Sequence, residues 1–188
     1  MPIPYRDADD INELGMAAYL KIKPTITGSG YLAALFLINA RGEPIEFTYN
    51  RIDIPHTFLW RQEDIRRQAA RRLTASLLSL CTKTPRLILC LAEEVESELF
   101  CQDIRISLPV CRLAPAIKAI PYSGSENQDT LQASELMNLF WFPERPVDDS
   151  IELRLLKELT ARGLLLEPFA RASRGIDEVY SEKIDEVK

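Results

Sequence analysis

Residues Tyr19-Leu-Lys-Ile-Lys-Pro24 alternate apolar and charged positions with period two. That is the pattern of a strand with one face in water, and Pro24 ends the strand or marks it as an edge. Gly28-Ser-Gly30 makes a turn, and residues 31–38 are apolar on both parities, as in a strand buried on both faces. Asn39-Ala-Arg-Gly42 then supplies the chemistry for a reversal into Pro44-Ile-Glu-Phe-Thr-Tyr49, so a β-hairpin is predicted with its centre near Arg41 and Gly42.

Over 61–81 the period lengthens to that of a helix. Ile65, Ala69, Leu73, Ser76, Leu77 and Leu80 fall in one arc, while Arg61, Arg67, Arg71 and Arg72 project from the other side. The helix must stop before Pro85, and Arg86-Leu-Ile-Leu-Cys-Leu91 reads as a short central strand. Glu93, Glu94, Glu96 and Glu98 follow as an acidic patch, and residues 103–108 alternate as a further strand closed by Pro109. The polar stretch 122–130 is expected to be a mobile loop that tolerates insertion or cutting, and 133–142 a short helix or irregular packing segment. Asp149 with Glu152 forms a capping-box pattern, Ile151, Leu155, Leu156 and Leu159 give an apolar stripe, and Gly163 suits a left-handed cap, so a second helix is predicted over 149–162. The fold expected is α/β or α+β, a mixed sheet of about five strands with an opening β-meander, covered by two main helices. One domain is expected over 1–170, followed by a charged tail over 171–188.

Composition narrows the function classes. The 188 residues are 46% hydrophobic and 27% charged, which is globular, and the net charge of −5 gives no general attraction to nucleic acid or to anionic lipid. The charge is unevenly placed: residues 51–86 carry 8 basic and 3 acidic side chains, the single net basic stretch. No membrane partner is expected, because the longest apolar run is too short to span a bilayer. The first ten residues hold three aspartates and lack the basic start and apolar core of a secretory signal. Cys81, Cys90, Cys101 and Cys111 form no C-x-x-C pair and are expected to be reduced, mostly buried thiols in a cytoplasmic protein.

Complete catalytic motifs are missing. Neither G-x-x-x-x-G-K-[ST] nor G-x-G-x-x-G occurs, no signature fixes a nucleophile beside His56, and a lone histidine excludes polyhistidine metal sites. Carboxylate-only Mg²⁺ sites remain open. The arginine face of the 61–81 helix has a plain reading, a solvated face or one paired with Glu93 to Glu98, and a sharper one, a surface for phosphates. Trp60 and Phe140-Trp141-Phe142 are core or interface aromatics, or stacking platforms for bases.

The order strand, strand, strand, helix, strand from Tyr19 to Leu91 resembles the opening of the RNase H-like fold. Nucleases of that fold hold two metals with carboxylates, one in the first strand and one at the end of the fourth. Glu93 and Glu94 stand in the latter position, and the 19–24 strand has no acid. A similar likeness exists to roadblock or longin-type scaffolds, which are assembly surfaces. Residues 30–47 and 166–171 also resemble a family of uncharacterised bacterial α/β proteins. From all this the chain is expected to be a non-catalytic, protein-binding subunit of a larger bacterial assembly, one that can handle nucleic acid, with Arg61, Arg67, Arg71, Arg72 and Trp141 as binding residues and no cofactor. The alternative is a metal-dependent RNase H-like nuclease using Mg²⁺ on Glu46, Glu93 and Glu94, or a catalytically inactive relative of one.

Overall fold

The computed structural model describes residues 13–54 and 59–185. His56 therefore lies outside the described residues. Seven strands form one mixed sheet in the order β3-β2-β1-β4-β5-β7-β6. The opening meander is present as β1 (Met16–Pro24), β2 (Gly30–Asn39) and β3 (Pro44–Asp53), all antiparallel. Helix α1 (Gln62–Leu80) crosses over to β4 (Leu87–Leu91), which runs parallel to β1, and β5 (Val110–Pro115) runs parallel to β4. The hairpin of β6 (Asn127–Gln132) and β7 (Leu136–Phe142) completes the far edge, with β7 antiparallel to β5. Among the described residues no helix is long and apolar enough to cross a membrane.

Two apolar layers enclose the sheet. On one face Leu20, Leu35 and Leu37 meet Leu73 and Leu77 of α1 and Phe100 of a π-helical turn at Leu99–Asp103. On the other, Tyr19, Leu89, Leu113 and Trp141 meet Leu155 and Leu159 of α2 (Ile151–Ala161) and Phe169 of α3 (Glu167–Asp185). The α/β class thus holds, with seven strands and three α-helices among the described residues in place of about five and two.

Each difference has a local cause. β1 is a central strand: Lys21 and Lys23, which read as its wet face, reach Glu94 and Asp177, and Pro24 ends it. No strand forms over 103–108, because the chain leaves the π-helical turn there and Pro109 precedes β5. The 133–142 segment is strand β7, with Met137, Leu139 and Trp141 alternating into the core. Ser150, one residue after the predicted Asp149, caps α2 by accepting from the Leu153 N–H at 3.3 Å, while Gly163 takes the predicted left-handed conformation with φ +71°. Residues from Arg171 onward continue α3, which buries Ala172 and Ile176 against the sheet.

The stretch read as a mobile loop contains a buried charge. Glu126 meets Arg112 of β5 through both carboxylate oxygens at 2.8 and 2.9 Å, the two side chains being 1% and 3% exposed. Arg112 also donates through Nε to the Val95 carbonyl at 2.8 Å, and the Ser123 N–H donates to Glu126 at 3.1 Å. An insertion next to Glu126 therefore disturbs a desolvated ion pair. Glu126→Ala, which strands the Arg112 guanidinium, is expected to cost about 3 to 5 kcal/mol in urea unfolding. Arg112→Met combined with Glu126→Leu should recover part of that loss, and a Glu126→Ala protein as stable as wild type would refute the role of the pair.

Candidate functional site

The parallel pairing of β1 with β4 brings their C-terminal ends side by side, Leu20 opposite Cys90. One residue further on β1 is Lys21, and beyond β4 a tight turn carries Glu93 and Glu94, with the Glu94 and Val95 N–H groups both donating to Leu91 O at 3.0 Å. The turn aims Glu94 back at β1. The Glu94 carboxylate meets the Lys21 ammonium in an ion pair and also accepts from the Ile22 N–H at 3.3 Å. Lys21 and Glu94 are each 15% exposed, so this pair is largely shielded.

The neighbours extend the pattern. Glu93 pairs with Lys118 at 2.6 Å, and that ammonium holds its carboxyl below the usual range. Arg66 of α1 donates to the Glu93 carbonyl, and Lys23 reaches Ser173 at 3.2 Å and Asp177 of α3. Ile22, Tyr31, Arg66, Glu93 and Glu94 line a cleft of about 290 Å³ at these strand ends.

Glu46 does not join Glu93 and Glu94. It stands on β3 opposite Leu37, which in turn pairs with Ala18, two strands and several residues away from Lys21. There it accepts from the Thr82 N–H at 2.8 Å, the Thr82 hydroxyl at 2.9 Å and the Lys83 N–H at 3.0 Å, closing the chain after α1. Those donors, the Thr82 N–H foremost, lower its pKa.

A divalent cation of the kind the RNase H-like resemblance implies needs a β1 carboxylate beside the one at the end of β4. The strand offers Lys21 and Lys23 instead, and the Lys21 charge lies against Glu94 itself. Among the described residues no three His, Cys, Asp or Glu side chains converge to hold a metal ion. Among the described residues this donor set, with Glu94 held by an ammonium, does not fit the paired carboxylates that the resemblance implies for Mg²⁺. The cysteines are free thiols; burial pushes Cys90 up to about 12, far from nucleophilic use.

The arginines expected to bind, Arg61 just before α1 and Arg67, Arg71 and Arg72 on it, divide into two groups. Arg61 pairs with Asp64 at 2.8 Å, and Arg67 forms a two-pronged bond with Asp103, both contacts at 2.9 Å. Arg71 and Arg72 are exposed and enter no ion pair among the described residues. The internal pairing read for this face is real for Arg67, but its partner is Asp103, outside the 93–98 acidic segment. Trp141, proposed as a binding residue, is fully buried in the core between β5 and β6, and its indole N–H lacks a partner. Its apolar alternation on β7 puts it there, and no partner surface can use it. The aromatic that does reach solvent beside α1 is Trp60, 48% exposed.

No family model matches the chain, and no curated protein does. Solved structures do match. Endonuclease V from Bacillus subtilis aligns with TM-score 0.55 and 12% identity over 93% of this chain and 84% of that one. Endonuclease V from Streptomyces avermitilis aligns with TM-score 0.58 and 11% identity over 90% and 83%. At such identities the likeness is one of fold, and it supports the RNase H-like topology over the roadblock or longin one. It also overturns the reading of the chain as a protein-binding assembly subunit: the folds it resembles are nucleases, and the Trp141 surface on which that reading leaned is core.

The lowered carboxyl of Glu46 gives a test of its placement. A folded-state pKa below the unfolded value stabilises the protein above the ordinary carboxylate range, and the contribution is lost as pH falls through the lowered value. Glu46→Gln should therefore cost about 1 kcal/mol at neutral pH, with the gap to wild type closing in acid. A gap that stays constant from neutral pH to strongly acid solution would contradict it.

Proposed function

We propose that this chain is a nucleic-acid-binding relative of the metal-dependent RNase H-like nucleases, in which an internal ammonium takes the place of the metal. The observation that carries the reading is the Lys21–Glu94 pair at the adjoining ends of β1 and β4. At the position where the nucleases of the resembled fold place two carboxylates around cations, this chain sets one carboxylate against its own cation. The pair neutralises Glu94 much as a bound cation does, but an ammonium offers no open coordination position for a water or a phosphate oxygen. What remains usable is the surface around the site: a cleft at the strand ends, and the basic face of α1 leading from it. The fold likeness to Endonuclease V supports nucleic acid as the class of ligand.

The test is a cleavage and binding assay on single- and double-stranded DNA and RNA with Mg²⁺ or Mn²⁺. Wild type should bind without metal-dependent cutting. Lys21→Asp, which sets a second carboxylate beside Glu94, should gain a rise in unfolding midpoint on addition of Mn²⁺ that Lys21→Asp/Glu94→Gln lacks. Cutting by wild type that Glu94→Gln abolishes would establish the active nuclease in its place.

A further inference from the structure

Two clefts flank Trp60. One, of about 220 Å³, has apolar walls from Ile52, Ile54, Ile65 and Ala69, with Arg72 at its rim. The other, of about 250 Å³, is bounded by Arg67, Gln68 and Arg71 together with Asp64 and Asp103. Trp60 and Gln68 belong to both, so the half-exposed indole stands as a partition between two slots.

The charges around the partition are sorted. Asp64 is taken by Arg61, Asp103 by Arg67 and Asp53 by Arg51. Every acid lining the two clefts is thus matched by an arginine, and among the described residues Arg71 and Arg72 remain in surplus, one in each cleft beside Trp60. An aromatic ring between two unmatched guanidiniums suits a polyanion with flat rings spaced along it, because a ring accepts a base on its face and guanidinium forks fit phosphates. An acidic protein would satisfy the charges but leave the apolar slot walled by Ile52, Ile54, Ile65 and Ala69 unfilled. The clefts also lead to the strand ends: the second shares Arg67 and Asp103 with a notch that holds Glu94, and Arg66, Ala70 and Glu94 line both that notch and the strand-end cleft.

We infer that Trp60, Arg71 and Arg72 form a subsite for single-stranded nucleic acid, the indole stacking on an unpaired base and the guanidiniums meeting the phosphates on either side. The inference rests on the proposed function and deepens it by naming the form of nucleic acid and the residues that hold it. Duplex is disfavoured because paired bases keep their faces inside the stack.

Titration with an oligothymidylate of about 12 nucleotides tests it through tryptophan fluorescence. The chain has two tryptophans, and Trp141 is shielded in the core, so quenching by the oligonucleotide reports Trp60. Wild type should show quenching and should bind the single strand more tightly than a duplex of equal length. Trp60→Ala should weaken binding about 10-fold while Trp60→Phe retains most of it, and Arg71→Gln/Arg72→Gln should make the salt slope shallower by about 1.4. Near-ultraviolet dichroism from Trp141 verifies that each variant is folded. If wild type binds and Trp60→Ala and Arg71→Gln/Arg72→Gln bind equally well with the same salt slope, the subsite is wrong and the proposed function stands. If wild type binds no oligonucleotide, both fall. Binding of polyglutamate as tight as that of the oligonucleotide, with the same loss in Trp60→Ala, would replace the subsite with one for an acidic protein.

Discussion

A guanidinium 3% exposed inside an apolar sheet has to be compensated from all sides, and the way Arg112 is compensated organises one end of this molecule. Its neighbours on β5, Cys111 and Leu113, face the core shared with α2 and α3, while Arg112 faces the other layer beyond the cover of α1. There it draws in Glu126 from the β6 approach, the Val95 carbonyl from the turn after β4 and the Pro121 carbonyl from the intervening loop, with its guanidinium 5.6 Å from the Phe140 ring centre. The turn fixed by that bond to Val95 is the one that presents Glu93 and Glu94 to β1. A buried charge placed for reasons of packing thereby sets the geometry of the candidate site.

The site itself turns on the sign of one residue. A β1 carboxylate at position 21 would repel Glu94 and would need a cation between the two groups. With lysine there, the strand ends close through an internal bond, and Glu94 is satisfied without any external ion. Under the function proposed above, this one exchange is what would separate the chain from metal chemistry on a fold it shares with Endonuclease V.

Features with local causes were readable in the chain. The β2–β3 hairpin follows from Asn39, whose side-chain oxygen accepts from the Arg41 and Glu43 N–H groups at 3.0 Å, and from Gly42 at φ +84°. Helix α1 followed from its apolar arc, except that Leu80 at the last turn is exposed. β6 escaped notice because Asn127-Gln-Asp-Thr-Leu-Gln132 is an edge strand whose polar side chains hide its backbone pairing with β7. In α3, Phe169, Ala172 and Ile176 already carried helical spacing, but the surrounding charges made the stretch read as tail. The site was half legible: the missing acid on β1 showed in the sequence, whereas the pairing of Lys21 with a residue 73 positions away is a product of the sheet. The burial of Trp141 and the displacement of Glu46 from Glu94 depend likewise on which strands become neighbours.

A chain with net charge −5 does not repel nucleic acid everywhere, because what a strand meets is the local field. Among the described residues the acids that line the two clefts beside Trp60 are held in short-range pairs, Asp53 with Arg51, Asp64 with Arg61 and Asp103 with Arg67, so their charge is cancelled within a few ångströms. Most of the remaining acids lie beyond residue 86 in the sequence, and of these Glu96 and Glu98 share a notch with Arg67 and Asp103, on the side of the second cleft away from the apolar one. Arg71 and Arg72, which enter no ion pair among the described residues, are therefore the cations left uncancelled beside Trp60. Under the proposed subsite, long-range steering of an anionic strand would be weak, and binding would depend on contacts made after encounter: stacking on the indole and the two guanidinium forks.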